Sequence, residues 1–457
     1  MTKRIVILGA GLTALMGAIL AKKRWVNSEV ILIKTATVFG GHLRGYEYEN
    51  GLYFDTGTHI FQESGIAEID NELLQCVPKD DLIVFEKGQG DIVGGIYDNK
   101  LEHDSHFPLA KSQEARLEIE KKIQTMTVVP PIDRMKSCME LGIARFGSIY
   151  TNQTLKPILE SMYGIPLDKL SSFAMLLPGL TRVKADSMAD WLIGQKNEHW
   201  RAIFGIPEQR HLPDKYQNNR RSFYSRNRGT RSFIDGITNK LRLLGIKIFE
   251  CTGGISINYE DSEIQITSED NRDFKMQYDA LFSGLGAVGI SRALDIEIGD
   301  FGLDRPLPHT LFHVALSGRV HANCYYFYGF ESKSSIYRVT NYDAFCPSPS
   351  DGLSRITIEA LGDNSDQKSL DLILEELSDL GVLDRNHVIF SAIEKLPSGF
   401  PSPTVVNFQA MQKLANQIEN TLPENIYLGG AGHGDGHFFQ NEVIPHMYNL
   451  IKTAEIC

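Results

Sequence analysis

A glycine pattern near the head of the chain constrains its folding more than any other feature. Gly9-Ala10-Gly11-Leu12-Thr13-Ala14 is G-x-G-x-x-A. It stands between the β-branched run Arg4 to Leu8 (RIVIL) and a segment, Leu12 to Lys23, with Ala, Leu and Met at helical spacing. Such a run is the mark of a strand covered on both faces, and Lys22, Lys23 and Arg24 fall where cations suit a helix C-terminus. Val30 to Ile33 (VILI) is the next buried strand. Two parallel strands joined by a helix make a right-handed crossover, which opens a doubly wound α/β sheet. In that turn Gly9 permits the tight bend, Gly11 lets the backbone approach a pyrophosphate, and the small Ala14 lets helix and strand pack closely. The N–H groups of the helix start, at Leu12 and Thr13, together with the positive dipole end then hold phosphates. Dinucleotide binding is the expectation.

One departure bears on that ligand. The ribose of a dinucleotide usually meets an acidic side chain about twenty residues beyond the third small position. Here that place is Lys34, a cation. Either Thr35 or a main-chain group substitutes, or Lys34 meets an extra phosphate.

At 457 residues the chain has length for two or three units of about 150 residues each. Gln113 to Met126, Arg134 to Phe146 and Asn152 to Tyr163 read as helices, with Pro130-Pro131 separating the first two. Ser232 to Leu244 is a further helix ending at Gly245; it leads into IKIFE and an alternating stretch, ISINYEDSEIQIT, expected as a small antiparallel meander. Asp279 to Ser283 is a short buried strand, and residues 309–345, rich in Tyr, Phe and Val, read as a second, antiparallel sheet. Lys368 to Leu380 is an amphipathic helix, Ile426-Tyr427-Leu428 a strand, and a glycine-rich loop then precedes a helix from about Asn441 to Ala454. The nucleotide domain is therefore expected in three pieces, 1–70, 221–300 and 421–457. A mostly helical substrate or cap domain, 71–220, and an antiparallel-sheet substrate domain, 301–420, fall between them.

Lys plus Arg at 46 against Asp plus Glu at 57 gives −11, a balance that disfavours nucleic acid as a partner. No apolar run reaches the length of a membrane span. The opening Met1-Thr2-Lys3-Arg4 and its apolar run mimic a leader, but the Gly-Ala-Gly inside that run fits a nucleotide loop better. Six cysteines lie far apart without a C-x-x-C, as expected of thiols in a reducing, cytoplasmic compartment.

Gly40-Gly41-His42-Leu43-Arg44 follows the second strand, and Gly51-Leu-Tyr-Phe-Asp55-Thr-Gly57-Thr58-His59-Ile-Phe follows that. With this second glycine pair the sequence resembles the glutathione-reductase-type FAD proteins of the amine oxidase, protoporphyrinogen oxidase and UDP-galactopyranose mutase superfamily. The likeness covers the first 65 or so residues and resumes at Arg145 to Gly164, Gly229 to Gly245 and Tyr427 to Ile444. The string at 57–61 is closest to the mutase branch, and Tyr224 to Gly236 is more like the protoporphyrinogen oxidase members. The resemblance implies an α/β protein: a glutathione-reductase-type Rossmann FAD-binding domain with a mixed α+β substrate domain containing an antiparallel sheet. It assigns Gly9, Gly11 and Ala14 to the FAD pyrophosphate, and Gly40, Gly41, His42 and Arg44 to the second phosphate and ribityl loop. Gly57, Thr58 and His59 fall beside the isoalloxazine, and Ile255 near the adenine. Gly429, Gly430 and Gly432 match the C-terminal flavin loop, although the arginine common there is replaced by Gly430. The next helix would aim its start, Asn441-Glu442-Val443, at the flavin, where a dipole suits the reduced ring's negative charge. No flavinylation motif appears, so FAD is expected to bind noncovalently.

The resemblance implies an enzyme acting through flavin N5 on a nucleotide sugar or other anionic carbohydrate, in surface polysaccharide biosynthesis. Its alternative is an amine oxidase or desaturase type acting on a small amine or ring substrate. Redox partners would be NAD(P)H or oxygen, and the oligomeric state stays open. The same fold also serves GDP-dissociation-inhibitor-like scaffolds without flavin, so a non-catalytic binding protein remains a third reading.

His59 is the sharpest single candidate: an imidazole that fixes cofactor protonation or donates to substrate, or one that orients its loop. Arg210, Lys215, Arg220, Arg221, Arg226, Arg228 and Arg231 are opposed locally by Asp214 alone and interleaved with Tyr216, Phe223 and Tyr224. They make either an anion-binding wall, with Tyr224, Arg226 and Arg231 on substrate, or a solvated loop. Tyr337 and Arg338 on the second sheet are candidates for substrate contact and catalysis, and Tyr325 to Tyr328 for a ring platform or for packing. His433 and His437 stand four apart, but the glycines at 434 and 436 work against a shared helix face. No metal is expected there, and His437 is taken to face substrate.

Overall fold

The structure, a computed structural model, describes residues 2–49, 51–86, 92–251, 253–267, 273–331, 334–346, 352–362, 367–430 and 439–456. It divides into two compact units: Met1–Phe85 with Arg220–Leu303 and Gln409–Cys457, and Glu86–Asn219 with Asp304–Phe408.

The first unit is built on five parallel strands, β1 (Arg4–Leu8), β2 (Glu29–Lys34), β3 (Lys247–Glu250), β4 (Ala280–Ser283) and β5 (Ile426–Leu428), in the order β3-β2-β1-β4-β5. That is the order of a doubly wound nucleotide-binding sheet. The alternation of a strand decides how its two faces are covered. Ile5, Ile7, Val30, Leu32, Ala280 and Phe282 point into one core, where three helices pack: α1 (Leu12–Arg24), α2 (Gly229–Leu243) and α3 (Gln440–Thr453). Val6, Leu8, Ile31, Ile33, Leu281 and Leu428 point into the other, closed by the meander Ile255–Asn258, Glu263–Thr267 and Asp273–Gln277 and by Leu414 and Ile418 of the helix Val405–Thr421. Each fully buried aliphatic side chain stabilises the sheet by about 1.5–3 kcal/mol. Both layers are needed, because the strands have no polar face.

In the second unit seven strands form one sheet, in the order Val388–Phe400, Leu307–Leu316, Ser354–Leu361, Arg338–Asn341, Tyr326–Gly329, Val93–Tyr97, Lys100–Glu102. Every neighbouring pair is antiparallel except Tyr326–Gly329 with Val93–Tyr97. One face buries Phe312, Val314, Ile356 and Ile358 against Leu370, Ile373 and Leu377 of the helix Gln367–Asp379. The other packs Tyr328, Tyr337, Leu361 and Phe400 on a helical layer that includes Gln113–Thr125, Cys138–Phe146 and Lys156–Tyr163. The fold is thus mixed α/β, with one Rossmann-like unit and one antiparallel-rich unit.

Two helix expectations are corrected. Helix Cys138–Phe146 starts four residues later than Arg134, because Ser137 caps it by accepting from Glu140 N–H at 3.2 Å. The helix expected from Asn152 is a π-helical stretch, Thr151–Leu155, that becomes α-helical at Lys156. Pro157 there has no N–H to donate, which removes one α-register bond. Among the described residues no helix is long and apolar enough to cross a membrane.

Candidate functional site

In the first unit the turn from β1 to α1 sits against the loop after β2. Gly9 adopts φ +132, and a Cβ on it would stand 2.9 Å from the Ala14 Cβ. The loops are bridged at Gly11 and Gly40, and Gly40 N–H donates to Ala10 O at 2.8 Å. A Cβ on Gly11 would meet nothing within 4 Å, and one on Gly41 only the Gly11 Cα at 3.6 Å. The two glycine loops therefore line open space that a side chain on either would fill. Gly11 caps α1 without any side-chain acceptor, and the first turn of α1 holds no acidic residue. Leu12 is buried, while Thr13 is partly open. Free N–H groups, a positive dipole end and backbone that can be approached closely are the means by which a diphosphate is held. Beside them Arg44 donates to Tyr46 OH at 2.8 Å and stacks over that ring at 5.2 Å, and His42 is exposed.

Lys34 ends β2 with its side chain one-tenth exposed; Nζ lies 2.8 Å from Glu250 Oε1 and 5.0 Å from the Phe39 ring centre. An extra phosphate at Lys34 would have to compete with that carboxylate. Thr35 is partly exposed.

Asp55 is 1% exposed and lacked a role in the sequence reading. It accepts from Tyr53 OH and Thr230 Oγ1, each at 2.8 Å, from Thr230 N–H at 3.1 Å, and from Tyr224 OH. Burial pushes its carboxyl above the usual range against the pull of these donors. The network ties the G-L-Y-F-D segment to the start of α2. It also corrects the assignment of Tyr224 to substrate: that side chain is buried and its hydroxyl is bound to Asp55. Phe54-Asp55-Thr56, an acid inside an otherwise buried run, was the sequence clue. Past it, Gly57 is buried, Thr58 is partly exposed, and a His59 ring nitrogen lies 3.1 Å from Thr56 O, a contact that orients the loop.

The basic run is divided between the two units. Arg210 and Lys215 belong to the second unit and Arg220 to Arg231 to the first. Arg210 pairs with Asp104 at 2.7 Å, Arg221 with Glu63 at 2.7 Å, Arg228 with Glu47 at 2.7 Å and Asp235 at 3.0 Å, and Arg231 with Asp235 at 2.9 Å. In a chain with excess acid, these cations find carboxylates nearby, and Arg228 and Arg231 share Asp235. Arg226 is exposed, and its backbone N–H donates to Asp81 O at 2.9 Å.

In the second unit Arg338 and Glu359 are register partners on adjacent strands. Arg338 Nε and Nη2 grip the two Glu359 oxygens at 2.6 and 2.9 Å, and His309 Nε2 lies 3.3 Å from Glu359 Oε2. The glutamate side chain is 1% exposed. Burial alone would raise its carboxyl, but Arg338 and His309 overcome that and hold it at about 2. The Arg338 guanidinium lies 5.9 Å from the ring centres of Tyr326, Tyr328 and Tyr337. Tyr337, expected as a surface contact, is core. Its ring packs against Tyr163, Tyr328 and Phe400, and burial drives its phenol far up, so it keeps its proton near neutrality and does not exchange it. His313 is buried and pushed down to about 3, with Nδ1 3.0 Å from Thr357 Oγ1.

After β5, Gly429 N–H donates to Ser283 O at 2.8 Å, and Gly430, at φ +66, donates to His446 Nδ1 at 3.2 Å. Gly432, His433 and His437 lie outside the described residues. At the start of α3, Asn441 Nδ2 meets Gln62 Oε1 at 3.1 Å, and the Glu442 carboxylate caps the helix through Phe439 N–H at 3.0 Å, while Val443 packs at the core edge. Ile255 opens the meander, partly exposed. Among the described residues no group of three or more His, Cys, Asp or Glu is arranged to hold a metal.

Residues 7–75 match the family model of NAD(P)-binding Rossmann-like domains. The fold as a whole is similar to that of a putative protoporphyrinogen oxidase from Exiguobacterium sp. 255-15, with TM-score 0.68 and 15% identity over 99% of this chain and 98% of that one. It is also similar to reduced UDP-galactopyranose mutase, with TM-score 0.67 and 16% identity over 99% and 93%. At 15–16% identity these likenesses are of the fold. In sequence the chain is 23% identical over 268 residues to coproporphyrinogen III oxidase of Staphylococcus aureus; that match spans 54% of this chain and about half, 53%, of the relative. These similar proteins are enzymes by name.

Proposed function

We propose that the protein is an FAD-dependent oxidoreductase or mutase acting on an anionic small molecule. The paired glycine loops carry this reading: Gly11 and Gly41 face open space at an uncapped helix start free of carboxylates. Gly9, Gly11, Leu12, Thr13 and Ala14 would hold the diphosphate, and Gly40, Gly41 and Arg44 its second phosphate and ribityl chain. Gly57 to His59, Gly429, Gly430 and the first turn of α3 would border the ring. Bound FAD supplies a two-electron centre at N5, and the chain supplies binding, orientation and electrostatics. The α1 N-terminus offsets the diphosphate charge, and Asp55 fixes the segment that leads to His59, which would hold a proton beside the ring.

For the substrate, Arg338 with the partly exposed Tyr326 ring favours an anionic carbohydrate, such as a nucleotide sugar of surface polysaccharide assembly. The internal pairing of Arg338 with Glu359 favours a second reading, an oxidase for a small amine or ring compound that uses the aromatic faces alone. Absorbance at about 450 nm in the purified protein tests the cofactor. A colourless protein that refuses FAD overturns the proposal and leaves a binding scaffold. Sugar nucleotides and amines are then screened for perturbation of the flavin spectrum. Turnover by prereduced protein without net electron flow marks a mutase, and consumption of oxygen or NAD(P)H marks an oxidoreductase.

A further inference from the structure

The geometry points to Glu250, on β3, as the carboxylate that binds the adenosine ribose of the dinucleotide, with Lys34 as its counter-ion. This rests on the FAD reading and deepens it. A dinucleotide site of this topology places an acid at the C-terminal end of β2 to accept from the ribose hydroxyls, and this chain has Lys34 there. Lys34 and Glu250 are parallel register partners, the last residues of neighbouring strands, so both side chains leave the sheet on the same face. Cys251 N–H donates to Lys34 O at 2.9 Å and fixes the two strand ends together. Nζ of Lys34 lies 2.8 Å from Oε1 of Glu250. The lysine side chain is 10% exposed and the glutamate side chain 63%. The cation is largely covered, and the carboxylate is mostly exposed, where it can accept from a hydroxyl donor.

The sheet has therefore moved the acid one strand outward and used the β2 position to orient it. The loop that follows supports the same placement. Gly253 and Gly254 are exposed, and a Cβ on Gly254 would meet nothing within 4 Å. That loop leads directly to Ile255, the candidate adenine contact, so ribose and adenine would be met by one short stretch of chain. A phosphate on the ribose is disfavoured, because it would set two negative groups side by side around one ammonium.

The test uses protein stripped of flavin, titrated calorimetrically with ADP, 2′,3′-dideoxy-ADP and 2′-phospho-ADP, and with FAD as the reference ligand. The wild type should bind ADP about tenfold or more tighter than the dideoxy analogue, as loss of hydrogen bonds to a charged acceptor requires. Glu250→Ala should bring ADP down to the level of the analogue and leave the analogue within about twofold. Circular dichroism checks that the variant folds, and the wild-type comparison of the two nucleotides stands without it. Equal wild-type affinity for ADP and the dideoxy form, with FAD still bound, overturns the inference and spares the cofactor reading. Preference for 2′-phospho-ADP overturns it in favour of Lys34 as a phosphate site. A wild type that binds neither FAD nor ADP sinks both.

Discussion

Gly9 and Gly11 sit two residues apart in one turn, and the structure separates what each does. Gly11 has φ −84 and ψ 172, extended backbone that any residue adopts, with open space where a Cβ would stand. Gly11→Val should therefore leave the flavin-free protein within about 0.5 kcal/mol of wild type, as for a substitution that meets no neighbour. Its isopropyl group would instead occupy the place of the diphosphate. Displacing two charge-assisted hydrogen bonds at about 1.5–3 kcal/mol each removes about 3–6 kcal/mol of binding, or about 10²–10⁴ in affinity. Gly9→Ala should do the reverse. A φ of +132 is strained for alanine, about 1–3 kcal/mol, and the new methyl would press on Ala14 Cβ at 2.9 Å, about 1–3 kcal/mol more. Stability should fall by about 2–6 kcal/mol in total. Urea unfolding of the flavin-free proteins reads the stabilities, and quenching of flavin fluorescence reads the affinities. A folded Gly11→Val protein that binds FAD within about threefold of wild type would refute the cradle. An unchanged urea midpoint for Gly9→Ala would refute the backbone argument.

Glu359→Gln should cost about 3–5 kcal/mol in urea unfolding, since it leaves Arg338 buried without its counter-charge; Arg338→Met with Glu359→Met should cost less than the sum of the single changes, and additive losses would make the pair a bystander. The Glu359 carboxyl, held at about 2 against an ordinary 4.5, contributes stability that is complete above pH 4.5 and is lost as the pH falls through about 2. That contribution has an upper limit of about 3 kcal/mol, and Glu359→Gln should flatten the acid limb of a Tm-against-pH curve; parallel limbs would contradict it. Asp55→Ala strands the Tyr53, Tyr224 and Thr230 donors and should cost about 2–4 kcal/mol by thermal or urea unfolding, with Asp55→Asn milder; a loss under about 0.5 kcal/mol would show that water replaces the carboxylate.

What could be read in the sequence followed from local rules. β1, α1 and β2 are announced by a β-branched run, a glycine turn and helical spacing, and α3, expected from Asn441 to Ala454, spans Gln440 to Thr453. The strand Leu307–Leu316 and its neighbours were legible from their aromatic and β-branched residues, although both faces of the sheet meet a core. The seven-strand order was hidden, since Val93–Tyr97 comes from more than two hundred residues upstream of its parallel partner and nothing local encodes that pairing. Helix Val405–Thr421 and strand Ser354–Leu361 are obscured in the sequence by the Pro- and Ser-rich stretches beside them. The site divides in the same way. Glycines 9, 11, 40 and 41 were legible because backbone conformation is a property of the residue itself. The partners of Lys34, Arg338 and Asp55 were not, because Glu250, Glu359 and Thr230 reach them only through tertiary pairing.

The Rossmann-like unit is threaded from three stretches of chain, and its edge strand Ile426–Leu428 emerges some four hundred residues after β1. At about 5–20 residues per second, a ribosome delivers β5 and α3 roughly 20–80 seconds after the opening crossover has left the tunnel. Throughout that wait the side of α1 that later receives Met447 lacks its cover, and for the last part of it so does the open flank of β4. The antiparallel-rich unit completes its sheet earlier, at Phe400. The opening crossover, which precedes the antiparallel-rich unit in the chain, is thus closed after it. Its nascent form offers chaperones a long-lived apolar target.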